Sequence, residues 1–135
     1  MDPDETRALI DRNASEIARL HARIHETVKH RSRGSAEKQE WQQACAEFHA
    51  RYDELAFPGG YSGALKRIAA GDPNAMEAAV CFLEVRPYFF RSGYMFKDIL
   101  RKIRRAPLSM VQADRLAAVE QKLSAWRSSK KGHEA

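Results

Sequence analysis

His21 and His25 stand four residues apart, a spacing that puts two imidazoles on one helix face and can hold zinc. The intervening Ala22-Arg23-Ile24 lacks the glutamate of a metalloprotease helix. A zinc site also needs a third ligand, for which His30 and His49 are the nearest histidines in sequence. A solvated or partner-facing histidine pair is the plainer reading, and no metal is expected. Glu77 and Glu84 form a second pair, two helical turns or about 10 Å apart along an axis. That separation is compatible with paired-carboxylate chemistry, but no sugar-binding aromatic cleft accompanies it. The simpler expectation is an ion pair with Arg86 or Arg91. Pro58-Gly59-Gly60 is a glycine turn without the lysine or helix context of a phosphate loop. Cys45 and Cys81 each sit among helix-core residues without a second cysteine nearby, so two buried free thiols in a reducing cytoplasm are expected. No nucleophile motif or thiol redox pair is present, so neither catalytic residues nor a cofactor, and no enzymatic activity, are expected.

The stronger feature is cationic. Lys97, Arg101, Arg104 and Arg105 recur at i, i+4, i+7 and i+8 and share one face of a helix beside its apolar stripe. Just before them runs Pro87-Tyr88-Phe89-Phe90-Arg91-Ser92-Gly93-Tyr94, which places Arg91 and Tyr94 at the edge of the ridge. Aromatics beside basic residues can stack bases and bind phosphates. They can equally anchor an acidic protein partner, because Tyr and Arg are favoured at interface hot spots. A third reading is a solvated basic face above a turn whose aromatics plug the packing, since Phe89 and Phe90 are too apolar to be left in water together.

The elements that must position these residues read as helices. Asp2, Pro3 and Glu5 have the spacing of a helix start. Ile10, Ile17 and Ile24, with Ala14, Leu20 and Val28 on the same face, carry a long first helix to about Lys29. Ser35 can cap a second helix, whose stripe is Trp41, Cys45, Phe48, Tyr52 and Leu55. A short helix follows from Ser62 through Leu65 and Ile68 to Gly71. Asp72-Pro73 starts a fourth, apolar almost all round and therefore central, which Pro87 ends. The fifth turns Phe96, Ile99, Leu100 and Ile103 inward. Ser109 and Gln112 form a capping box for the last, with Leu116, Val119, Leu123 and Trp126 as its stripe. No stretch alternates with period two, so no strand is expected. The chain thus reads as all-α: a single-domain bundle of five to six helices over residues 1–127 and a flexible polar tail over 128–135.

The 135 residues are enough for one domain with a core of its own. The longest apolar run is far short of the roughly 20 residues that span a bilayer, and the acidic start is unlike a secretory signal. A cytoplasmic protein without membrane contact is expected. The net charge of +5 is uneven: residues 1–57 carry nine Lys/Arg against eleven Asp/Glu, and residues 58–135 fourteen against seven. The basic C-terminal half points to an acidic protein surface or a nucleic acid.

The stretch Phe82-Leu83-Glu84-Val85-Arg86-Pro87-Tyr88-Phe89-Phe90-Arg91-Ser92-Gly93-Tyr94 resembles a signature of a widespread family of small, uncharacterised, all-helical bacterial proteins. Ile99-Leu100-Arg101 and Arg104-Arg105-Ala106-Pro107-Leu108-Ser109 extend the resemblance, and Tyr52-Asp53-Glu54-Leu55-Ala56-Phe57-Pro58-Gly59-Gly60 is similar to the family's second signature. Together these cover roughly the middle and C-terminal half, and they carry no known reaction. In size and style such proteins are similar to immunity proteins of polymorphic toxin systems. That likeness implies a non-catalytic module that binds a toxin and occludes its active site. The charge and spacing of the ridge, not the likeness, make Arg91, Tyr94, Lys97, Arg101, Arg104 and Arg105 the expected partner-binding residues. The alternative is a nucleic-acid-binding or ribosome-associated helical protein that uses the basic face of residues 97–105.

Overall fold

The computed structural model describes residues 1–134, with side chains through Lys130. It contains six helices: α1 (Pro3–Val28), α2 (Ser35–Ala56), α3 (Ala64–Ala69), α4 (Pro73–Val85), α5 (Ser92–Ile103) and α6 (Met110–Glu134). No strand occurs among the described residues. The starts obey local chemistry. Asp2 Oδ1 accepts from the Glu5 amide at 2.9 Å and Asp72 Oδ2 from the Ala75 amide at 2.8 Å, each with proline next in sequence. Ser109 and Gln112 exchange two 3.1 Å bonds ahead of α6, the reciprocal pairing of a capping box. At α2 the cap position falls on Gly34, and Ser35 is already helical.

α1 and α2 pack antiparallel, as the cross-links Arg23–Glu47 and Arg51–Glu16 show by running in opposite chain directions. α4 lies at the centre, against α1, α3, α5 and α6. Its position follows from its composition: Ala75, Met76 and every residue from Ala78 to Leu83 are buried, so a single-sided contact could not cover it. Ile17, Phe57, Ile68, Phe82, Ile99 and Ile103 close the core around it.

Three sequence expectations shift. Cys81 is fully buried but Cys45 is only half-buried, because the buried face of α2 centres on Ala44 and leaves Cys45 at its margin. Trp126 is 51% exposed, since α6 continues beyond its last buried residue, Leu123. The helix also runs to Glu134, through the stretch expected to be a polar tail. Ala135, the last residue of that expected tail, lies outside the described residues.

Candidate functional site

The turn between α4 and α5 is held unusually firmly. Proline at 87 and the burial of Phe89 fix its two inner points, with Phe89 set edge-on to Phe82 at 6.4 Å. Ser92 Oγ accepts from the Phe89 amide at 3.0 Å, and the Ser92 amide donates to the Phe89 carbonyl at 2.9 Å. From α2, the Tyr52 hydroxyl donates to the Phe90 carbonyl at 2.6 Å. Burial pushes the Tyr52 phenol up, so it remains a donor at neutral pH. Arg86 and Arg91 bracket the turn with φ of 51° and 67°, the left-handed region that glycine favours.

What the turn displays is aromatic and cationic. Tyr88 is 94% exposed, Tyr94 74% and Phe90 44%. The Arg91 guanidinium lies over the Phe90 ring at 5.4 Å. Phe90 also meets α1: the His21 ring is 5.1 Å away and itself 4.7 Å from His25. The histidine pair thus belongs to this surface, which no spacing along the chain could have shown. Among the described residues no group of three His, Cys, Asp or Glu side chains is placed to hold a metal ion.

From this turn the exposed stripe of α5 continues. At 100° per residue Tyr94, Lys97, Arg101 and Arg104 fall within one quadrant, and all four are exposed. The ridge is less bare than its composition implied. Arg101 pairs with Asp98 at 3.0 Å, and Arg104 reaches across to Glu120 of α6. α5 ends at Ile103, so Arg104 caps the helix in αR conformation, continuing its face, and Arg105 stands in the turn beyond. Lys97 and Arg105 form no ion pair among the described residues.

Glu77 and Glu84 have different partners from those expected. Arg115 of α6 lies between them, 2.9 Å from Glu77 and 2.6 Å from Glu84, and Arg7 of α1 adds a 2.7 Å contact to Glu84. Arg86 points instead toward the rings of Phe96 and Trp126, at 5.2 and 5.7 Å. Arg91 stacks on Phe90. The true partners lie 31 to 77 residues from Glu84, beyond any helix-periodicity signal. Burial pushes both carboxyls up, but the Arg115 guanidinium outweighs it, helped by Gln112 at Glu77 and Arg7 at Glu84; both are held below the ordinary 4.5. Cys81 lies between the two, its Sγ 3.3 Å from Glu77 Oε2. Burial and that carboxylate push its thiol up to about 11, which keeps it protonated and a poor nucleophile at neutral pH. Carboxylates held ionised by guanidiniums and a protonated thiol make a three-helix clamp, not an acid–base pair.

No family model, curated protein or solved structure matches this chain.

Proposed function

We propose that this chain is a non-catalytic protein-binding module and, among such modules, an immunity protein that occludes a toxin's active site. One observation carries the binding reading: a turn braced by Tyr52, Phe89 and Ser92 holds Tyr88 almost wholly in solvent and keeps arginine at a left-handed position. A non-glycine residue there costs about 1–2 kcal/mol. At Arg91 that backbone displays the guanidinium over the Phe90 ring at 5.4 Å, on the same turn as Tyr88. Tyr and Arg are the residue types favoured at hot spots, and a braced backbone lowers the cost of ordering them on association. The neighbouring Lys97, Arg101 and Arg105 supply positive charge for an acidic partner. The toxin class rests on likeness of size and style alone, not on matched residues.

Affinity capture from the source cells tests this, comparing the wild type with the Tyr88→Ala/Tyr94→Ala double variant by quantitative mass spectrometry. Both positions are solvent-exposed, so the fold should persist. A stoichiometric partner held by the wild type and lost by the variant supports the reading, and co-expression should then suppress that partner's toxicity. Equal capture by both proteins removes the turn as the interface.

A nucleic-acid ligand is the second reading, favoured by the exposed rings of Tyr88 and Tyr94 beside Arg91 and Lys97. Phosphate binding weakens log-linearly and steeply with salt, which an aromatic-anchored protein interface does not.

A further inference from the structure

Beside Arg86, α4, α5 and α6 line a groove of about 200 Å³ to which none of Tyr88, Phe89 and Phe90 contributes. Its floor is apolar: Leu83, Phe96, Val119 and Leu123, all nine-tenths or more buried. Its rim is cationic, with Arg86 and Lys122, neither in an ion pair among the described residues. The rim's one carboxylate, Glu84, is already saturated by Arg7 and Arg115. Arg86 is not a loose surface cation. Its backbone is held left-handed, with its amide donating to the Phe82 carbonyl at 2.8 Å, and its guanidinium is set between the Phe96 and Trp126 rings. The guanidinium forms no hydrogen bond or ion pair among the described residues, so its N–H groups are available to a carboxylate, which it can bind in two-pronged fashion.

We propose that this groove binds a small carboxylate with a single-ring apolar body, its head on Arg86 and its body on Phe96, Val119 and Leu123. Size selects the class: a cavity of about 150 Å³ holds one benzene ring, whereas drug-sized ligands need roughly 300 Å³ or more. Charge selects the head group, since the unpaired rim charges are both positive. The site is independent of the protein interface, and either can fail without the other.

The test is titration of the ¹⁵N-labelled full chain with 3-phenylpropanoate, and in parallel with the uncharged 3-phenylpropanamide. The carboxylate should give saturable shifts at the amides of Leu83, Phe96, Val119 and Leu123. The amide should bind about ten-fold more weakly or worse, the loss expected for one charge-assisted hydrogen bond. Arg86→Gly should cost the same factor without straining the left-handed backbone, because glycine adopts it freely. Should that variant lose its folded spectrum, Lys122→Gln at an exposed position serves instead, with a smaller loss in the same direction. Unsaturable shifts, shifts spread over cations elsewhere, or equal affinity for acid and amide each overturn the proposal.

Discussion

Glu84 of α4 ties three helices together, through Arg115 of α6 and Arg7 of α1. The Arg115 side chain, 18% exposed, bridges it to Glu77. Breaking a partly buried pair costs less than the 3–5 kcal/mol of a fully desolvated one, so Glu84→Gln should cost about 1–3 kcal/mol. That corresponds to a melting temperature lowered by roughly 4–12 °C in calorimetry. The pH dependence has a definite sign. The folded-state value of Glu84 is depressed, so its contribution is present above the ordinary 4.5 and is lost as pH falls through the lower folded value. The gap in melting temperature between wild type and Glu84→Gln should therefore be full at pH 7 and close as the pH drops below 4.5. A gap unchanged at pH 3 would show that lost shape, not lost charge, destabilises the variant. His21 and His25 make a residue-scale prediction of their own. With two imidazoles and no third ligand among the described residues, zinc should bind only weakly by calorimetric titration and leave the melting temperature unchanged. A tight one-to-one site would reinstate metal chemistry.

Two turns carry the element-scale predictions. In the α4–α5 turn, Arg91→Gly exchanges strain of about 1–2 kcal/mol for the added unfolded-state freedom of glycine, about 0.4–1 kcal/mol. The variant should melt at the wild-type temperature or a few degrees higher while losing partner affinity. A protein that is both less stable and still competent to bind would mean that Arg91 serves packing. In the α3–α4 turn, Gly71 has φ of +81°, and a Cβ there would stand 2.9 Å from Pro107 Cγ. Gly71→Ala meets backbone strain and a clash with the segment joining α5 to α6, and should cost about 1–3 kcal/mol. Chemical denaturation measures it; an unchanged midpoint would mean that the 107–109 segment yields freely.

Across the whole molecule, charge divides between the two halves of the chain. α1 and α2 carry the acidic excess and link it internally through Arg23–Glu47 and Arg51–Glu16. The basic excess lies from residue 58 onward, and Arg91, Lys97, Arg101, Arg104 and Arg105 are its exposed part at the aromatic turn, along α5 and just past its end. Long-range steering by such a surface acts on association more than on dissociation. Arg101→Glu with Arg105→Glu should leave a helical circular dichroism spectrum, because both residues are exposed, with stability changed by about 0.5 kcal/mol per site. Part of that change at Arg101 comes from repelling Asp98, its present partner. Binding to an acidic partner should weaken by about 2 kcal/mol or more, mostly in the association rate at low salt. Wild-type association kinetics would make the ridge a solvated face and shift the interface to α1. No described helix is long and apolar enough to cross a membrane.

The sequence alone determined the helices, because a cap or a stripe is decided within a few residues. Asp2 with Glu5, Asp72 with Ala75 and Ser109 with Gln112 all pair at a separation of three. The centrality of α4 was equally legible, since a helix apolar all round has nowhere else to go. The cationic stripe of α5 was visible as spacing, but not that Asp98 and Glu120 partly neutralise it. Tertiary structure decided everything that depends on where one helix lies against another. Glu84 finds Arg7 and Arg115 rather than its chain neighbours, and His21 lies beside Phe90. Arg86 and Arg91 take left-handed backbones because the turn must bring α5 back onto α4, a demand that residue type does not announce. Such contacts join residues far apart in sequence, and their energies exist only once the core has fixed the distances between helices.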